Sequence, residues 1–327
     1  MMLPFLDAAA LAERLSMSDA VDALEAALQA GLDPAADPQR TSVPTPNGDL
    51  LLMPSAAGAV AVKLVSIAPA NPDRGLPRIQ GVVVLFDPVT LTPVALIDGA
   101  ALTTLRTPAV SALAVRHAAR ADAHRLVVFG AGPQADGHIA AMRAVRPITD
   151  VVIVGRDPGR AQALADRWSG RSAPDSSARV GPWASVEPGA SIAPGLTVRV
   201  GSAADVADAD LIVCATTARE PLFDGRSVRP GACVVAVGSH EPSARELDAD
   251  LVRRSQVVVE DVATALREAG DLILADVPAS DLLTLADLVH GRRPPQREPS
   301  PVVVKTVGMA WQDAVVAAAA HSAAHPD

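Results

Sequence analysis

Residues 126–142 read LVVFGAGPQADGHIAAM. Four apolar residues rich in Val open the stretch and suit a strand buried on both faces. Gly130-Ala131-Gly132 breaks the run, and Ile139 and Met142 resume at helical spacing. Strand, tight glycine turn and helix form the context of a dinucleotide-binding loop. The fit is Gly130-x-Gly132-x-x-Ala135, with alanine as the third small residue. Gly130 allows the turn, Gly132 lets a pyrophosphate approach the backbone, and Ala135 lets the helix pack on the strand. The helix amino terminus then presents N–H groups and a partial positive charge to phosphate. Taken alone, such a match also fits an ordinary strand-to-helix turn, so the surroundings must decide.

Downstream the pattern alternates. A helix over 134–145 leads to a strand at 151–154 and a helix over 158–169. Residues 172–194 are a Pro/Ser/Gly-rich insertion. A short strand at 198–200 and a short helix at 203–207 follow, then strands at 210–215, 232–237 and 256–259. This alternation predicts a Rossmann doubly wound parallel sheet, and it strengthens the glycine-loop reading.

Upstream the texture differs. Residues 7–31 carry an amphipathic helical pattern, with a start signal at Ser16–Asp19 and a stop at Gly31. Residues 34–46 are a proline-broken loop that contains Arg40. Strands are expected at 50–53 and 59–67, a turn-rich loop at 71–77, and a hairpin from 81–86 and 93–97. Residues 98–107 then lead into an alanine-rich helix over about 108–119. Near the end, 301–307 reads as a strand, Gly308 as a break and 309–320 as a helix. The expected fold class is α/β: a Rossmann domain over 119–302, and an α+β domain formed by 1–118 with 303–327.

Composition narrows the function. A chain of 327 residues, 49% hydrophobic, can bury a large core. No apolar run reaches the roughly 18 residues of a membrane span. The amino terminus lacks a basic region and carries Asp7, which argues against a secretory signal. A net charge of −9 argues against a nucleic-acid or anionic-membrane partner. Cys214 and Cys233 lie in apolar strand-like runs and read as buried, reduced thiols of a cytoplasmic protein. No His/Cys cluster has metal-ligand spacing, so no metal is expected.

Of 28 basic residues, only Lys63 and Lys305 are lysine. Arginine serves wherever surface charge suffices, but it cannot supply a compact ammonium whose pKa shifts on burial. Lys63, inside AVAVKLVS, therefore points to lysine chemistry. Lys63, Arg106 and Arg40 can together hold a carboxylate. On its residues alone, Arg40 reads as a solvated loop side chain. Arg106, flanked by threonines at the entry to a helix, resembles an anion site. In the sheet, ligands belong at the carboxyl ends of the strands: Gly130–Gly132, Gly155-Arg156, Thr216-Thr217 and Gly238-Ser239-His240. Arg156 stands where an arginine suits a 2′-phosphate, and reads equally as a surface arginine beside a helix cap at Asp157.

The chain resembles the ornithine cyclodeaminase/mu-crystallin family over nearly its whole length. The resemblance rests on Leu52-Met53-Pro54, Lys63, Asn71 with Gly75-Leu76-Pro77, and the run from Leu102 to Thr107. It continues through Gly130 to Gln134, Ala215-Thr216-Thr217, Val237-Gly238-Ser239, Glu246-Leu247-Asp248 and Glu268 to Asp271. It implies a homodimer whose α+β domain binds substrate and forms the dimer contact, with a Rossmann domain for NAD(H) or NADP(H). It further implies Arg40, Lys63 and Arg106 around a substrate carboxylate, with His240 also at the substrate. Cofactor contacts are expected at Thr107, Gly130, Ala131, Gly132, Pro133, Gln134, Arg156, Thr216, Thr217, Val237, Gly238, Ser239 and Gly308.

Two departures separate the chain from the family's cyclodeaminases. They carry an acid where this chain has Leu51, and an aspartate where it has His240. Residues 239–248 are more similar to the ketimine-reductase branch, which includes mu-crystallin and bacterial pyrroline-2-carboxylate reductases. The expected activity is NAD(P)H-dependent reduction of a cyclic α-imino acid, with Lys63 governing the proton at nitrogen and NADP(H) preferred over NAD(H). An amino-acid dehydrogenase or N-alkyl amino acid synthase stands second, ornithine cyclodeamination third. A cofactor-binding protein without turnover is the alternative from another class.

Overall fold

The computed structural model describes residues 3–170, 195–292 and 300–323; the insertion expected at 172–194 lies outside them. In chain order the elements begin with β1 (Phe5–Leu6), α1 (Ala8–Arg14), α2 (Met17–Gln29), β2 (Thr41–Thr45), β3 (Gly48–Ser55) and β4 (Val60–Ile67). Then come β5 (Ile79–Phe86), β6 (Pro93–Asp98), α3 (Gly99–Ala118), β7 (Arg125–Phe129), α4 (Pro133–Val145), β8 (Asp150–Val154) and α5 (Pro158–Trp168). After the insertion follow β9 (Thr197–Val200), β10 (Leu211–Cys214), β11 (Cys233–Ala236), α6 (Ala249–Arg254), β12 (Gln256–Val259), α7 (Val262–Glu268) and α8 (Gly270–Ile273). The last are β13 (Leu282–Thr284), α9 (Leu285–Val289), β14 (Val302–Lys305) and α10 (Ala310–Ser322). Two compact units result, one from residues 3–106 with 308–323, the other from the described residues between 107 and 307.

The first unit is a six-stranded sheet in the order β1-β6-β5-β4-β3-β2, antiparallel except where β1 joins β6. Strand alternation sorts its side chains by face. Ala61, Lys63 and Val65 of β4 are buried, while Val62 and Leu64 are half-buried. α10 packs on β3, β4, β5 and α2.

Three expectations are corrected here. The helical pattern of 7–31 is two helices. Leu15 is extended, and Ser16 starts α2 through a reciprocal capping box with Asp19. The proline-broken loop of 34–46 contains β2, which pairs with β3; Pro44 is tolerated because β2 is an edge strand. The helix expected from about Pro108 begins at Gly99, where the Asp98 carboxylate accepts from the amides of Ala100 and Ala101. Pro108 lies inside α3, and Arg106 sits on a helical turn, not at a helix entry.

The second unit is an all-parallel eight-stranded sheet in the order β13-β12-β14-β11-β10-β7-β8-β9. Its strands are Val-rich and buried along nearly their whole length, as a sheet covered on both faces requires. From β7 the chain winds one way through β8 and β9. It then returns to β10 on the other side of β7, so the switch point lies between β7 and β10. β14, expected with the first domain, instead fills the gap between β11 and β12. The described chain therefore leaves the Rossmann unit after Val307, and enters it at Thr107, within α3.

Arg146 closes α4 onto the end of α3. Its Nη2 donates to the carbonyls of Val115 (2.7 Å), Arg116 (2.8 Å) and Ala119 (2.8 Å), and its Nε to that of Arg120 (2.8 Å). Those of Arg116 and Ala119 lie at the end of the helix, and those of Val115 and Arg120 accept in addition from the Ala119 and Ala123 amides. Arg146→Lys is expected to lower the unfolding free energy by about 1.5–3 kcal/mol. Urea denaturation checks this; an unchanged midpoint would mean the carbonyls do not depend on the guanidinium.

Candidate functional site

Lys63 faces the covered side of the first unit's sheet, its Cα paired with Met53 and Val83. It is 3% exposed, so its ammonium must be met by an anion. That anion is Asp313 of α10, whose Oδ2 lies 2.6 Å from Lys63 Nζ. The other oxygen, Oδ1, accepts from Arg106 Nε at 3.1 Å. Gln312 Oε1 accepts from Arg106 Nη1 at 2.9 Å. Arg40 Nη2 donates to the Gly308 carbonyl at 2.9 Å, just before α10. The start of one helix thus anchors all three cations proposed from sequence.

Gly308 is a glycine by necessity. Its φ is +80°, and a Cβ there would stand 2.8 Å from Arg106 Nη1. Burial pushes the Lys63 ammonium down to about 8; Asp313 opposes that shift, while Arg106 and Arg40 reinforce it. Lys63 and Arg106 share the Asp313 carboxylate, and Arg40 is held beside them by the Gly308 carbonyl, so three cationic groups gather at one place where a ligand carboxylate can be met. Lys63 is at the same time a weak enough acid to release a proton near neutral pH.

Asp313 and Gln312 escaped the sequence reading. They are the polar pair in the otherwise apolar run WQDAVVAAAA, and they are 1% and 0% exposed. A polar pair in such a helix implies buried partners.

In the second unit the four strand ends named from sequence share the carboxyl edge of β8-β7-β10-β11. Gly130 has φ +119°, and a Cβ there would stand 2.6 Å from the Ala215 carbonyl. Gly132 is the N-cap of α4 with no capping side chain, Pro133 follows it, and a Cβ on Gly132 would meet nothing within 4 Å. Open space over an uncapped helix start is what a pyrophosphate needs, so Gly130, Ala131, Gly132, Pro133 and Gln134 fit a dinucleotide. His138 supports this turn: Nδ1 meets the Gln134 carbonyl at 2.7 Å and Nε2 the Ser111 hydroxyl at 2.9 Å. Burial holds its pKa near 4, so the ring is neutral.

Arg156 is exposed just beyond β8, while Asp157 caps α5 through the Arg160 amide at 3.1 Å. A Cβ on Gly155 would stand 3.5 Å from that of Ala131, which puts the Arg156 backbone beside the glycine turn. Thr216 is half-buried and Thr217 exposed after β10. Val237 and Gly238 are half-buried, Ser239 buried and His240 exposed after β11. Thr107 is half-buried in α3, its carbonyl accepting from Ser111 Oγ at 3.2 Å. Glu241 is paired with Arg219 at 2.9 Å. Among the described residues, no cluster of His, Cys, Asp or Glu is placed to hold a metal ion. Both cysteines are buried and free.

A Rossmann unit with an open phosphate turn, joined to an α+β unit with a buried cationic cluster, defines a two-unit α/β protein of the nucleotide-binding class. The chain belongs to the ornithine cyclodeaminase/mu-crystallin family, whose profile matches residues 3–179 and 191–325. It is 35% identical over 319 residues to the Delta(1)-pyrroline-2-carboxylate/Delta(1)-piperideine-2-carboxylate reductase of Azospirillum brasilense, covering 95% of this chain and 93% of that one. It is 34% identical over 279 residues to Delta(1)-pyrroline-2-carboxylate reductase 2 of Burkholderia ambifaria, covering 84% and 81%. Among solved structures, the Delta(1)-pyrroline-2-carboxylate reductase of Thermococcus litoralis, in complex with NADH and L-proline, superposes with a TM-score of 0.85. The identity is 30%, over 99% of this chain and 97% of that one.

The ion pair carries a pH signature. The folded pKa of Lys63, about 8, lies below its ordinary 10.5. Burial therefore costs stability below pH 8, and that cost is lifted as pH rises from about 8 toward 10.5. Asp313→Ala is expected to lose about 3–5 kcal/mol at pH 7, because it strips a buried cation of its partner. The loss shrinks at pH 9.5, where Lys63 is neutral in the folded parent. Denaturation at both pH values tests this; equal losses would remove Lys63 as the partner that matters.

Proposed function

We propose that the protein is an NAD(P)H-dependent reductase of a cyclic α-imino acid, Δ1-pyrroline-2-carboxylate or Δ1-piperideine-2-carboxylate. The observation that carries this reading is the cluster of Lys63 and Arg106 on the Asp313 carboxylate, with Arg40 held beside them by the Gly308 carbonyl. Relatives named for these activities, matched along most of their length, support it. So does the relative that holds NADH with L-proline, since proline is the product of reducing the five-membered imine.

When bound, the dinucleotide supplies the hydride for the imine carbon. Arg106 and Arg40 hold the substrate carboxylate, and Asp313 and Gln312 fix the Arg106 fork. Lys63 gives its proton to the imine nitrogen as that atom becomes an amine. A pKa of about 8 keeps the group charged at neutral pH yet able to let the proton go. Positioning and preorganised charge account for most of the acceleration.

Leu51 favours imine reduction over ornithine cyclodeamination. It lies on the same sheet face as Lys63, opposite Val65, and offers no acceptor to a distal ammonium. Glu241, the acid nearest His240 in sequence, is engaged by Arg219.

The protein acts as a homodimer through the open face of its six-stranded sheet. There Leu52, Leu64 and Val82 form one cross-strand row and Pro54, Val62, Val84, Leu96 and Phe5 another. Phe5 is 57% exposed, Val43 43% and Leu50 37%, so this apolar face calls for a second copy.

The test follows NAD(P)H absorbance with the two cyclic imino acids, and ammonia release from L-ornithine with NAD⁺. Imine reduction is expected, slowing as pH rises through about 8, with no substantial ammonia. Lys63→Met abolishes turnover, and Asp313→Asn moves the alkaline limb to lower pH. Tight cofactor binding without oxidation by either imine would favour a binding protein, and steady proline and ammonia from ornithine a cyclodeaminase.

The cofactor reading has its own test. With Arg156 on a 2′-phosphate, NADPH outperforms NADH, and Arg156→Ala loses about 1.5–3 kcal/mol of that preference. Equal use of the two cofactors by the parent would leave Arg156 as a surface residue beside the Asp157 cap.

A further inference from the structure

The second lysine of this lysine-poor chain, Lys305, has no place in the chemistry above. It ends β14, its Cα paired with Ala236 on one side and Val259 on the other, at the carboxyl edge of the Rossmann sheet. It is 1% exposed. Its Nζ donates to the carbonyls of Ser239 (2.6 Å) and Ala236 (3.3 Å), and lies 3.2 Å from Asp271 Oδ2. Two hydrogen bonds and an ion pair converge on one compact ammonium, which a planar guanidinium fork does not reproduce.

Asp271 passes the restraint on. Its Oδ1 accepts from the amides of Glu246 (2.7 Å) and Leu247 (2.9 Å). Glu246, fully buried, then binds two strand ends. Oε1 accepts from the Thr216 amide at 2.8 Å and hydroxyl at 2.7 Å, and Oε2 from the Gly238 amide at 2.7 Å. There is no slack between those ends. A Cβ on Gly238 would overlap the Thr216 carbonyl and stand 2.6 Å from Glu246 Oε1.

We infer that Lys305, through Asp271 and Glu246, is a positioning residue that sets the loops of Thr216 and of Val237–Ser239, and with them the cofactor affinity of the Rossmann unit. The inference rests on the reading of those loops as cofactor-binding. Removing the lysine frees the Ser239 carbonyl and leaves two buried carboxylates without their cation, so both loops are released together.

The test is direct titration of NADH and NADPH, without substrate, into the parent, K305M, K305R and the pair K305M/D271N. In the pair the Asp271 charge goes with its cation, Glu246 keeps its donors from Thr216 and Gly238, and the new amide oxygen still accepts from the Glu246 and Leu247 amides. The pair is expected to melt near the parent temperature yet bind cofactor at least tenfold more weakly. K305R is expected to fail like K305M, while the KM for the imino acid at saturating cofactor stays within twofold. A folded pair with parental cofactor dissociation constants overturns the inference, as does loss of folding in all three variants, which would make Lys305 a general stabiliser. A parent that binds neither cofactor overturns the cofactor reading first, so the two failures are distinguishable.

Discussion

A lysine ammonium buried in a sheet cannot stand alone, and the arrangement of the first unit follows from that. Desolvating the charge costs far more than any single packing contact returns, so an anion has to reach it. Asp313 arrives on α10, which the chain forms only after completing the Rossmann sheet. The same carboxylate takes Arg106 on its second oxygen, and Gly308 turns the chain so that its carbonyl meets Arg40. Glycine suits that turn, with φ at +80° and a Cβ there pressing on the Arg106 guanidinium. Three cations from β4, α3 and the segment before β2 are thereby gathered around the start of one helix.

The Rossmann unit solves a different problem. A parallel sheet ends in a row of backbone amides that no further strand pairs. Here buried acids take several of them. Glu246 serves Thr216 and Gly238, Asp271 serves residues 246 and 247, and Glu260 accepts from the Val307 amide at 2.7 Å. The edge at Gly130–Gly132 keeps an uncapped helix start with open space over it. The edge is thus rigid where it is shaped and open where a phosphate belongs.

The parallel sheet was legible because period and punctuation agree: buried Val runs, glycine turns, then helical spacing. The first unit was harder. Pro44 and Pro46 disguised β2, whose partners lie in the next strand. Pro108 drew the expected start of α3 too far along, because the capping signal of Asp98 lies nine residues upstream of Thr107. β14 reads as a strand in isolation, but nothing local says that it inserts between β11 and β12. The site divides in the same way. Lys63 stood out by its surroundings, whereas Asp313 is separated from it by most of the chain. It could be found only by asking what two buried cations and a buried acid must do about one another.

That question also explains the arginine economy of the chain. Outside two positions every basic residue is arginine, and many sit in exposed or half-exposed pairs such as Arg120–Asp122, Arg226–Asp224 and Arg292–Asp287. Such pairs ask only for a charge and tolerate the bulk of a guanidinium. Lys63 and Lys305 lie at 3% and 1% exposure, each beside a buried aspartate. A compact head with three hydrogens fits an enclosed space, and its proton can be lost at a pH where arginine's cannot. The first property suffices for Lys305, which meets carbonyls and a carboxylate on every side. The second is what sets Lys63 apart, because burial, reinforced by two neighbouring guanidiniums, presses its proton toward release.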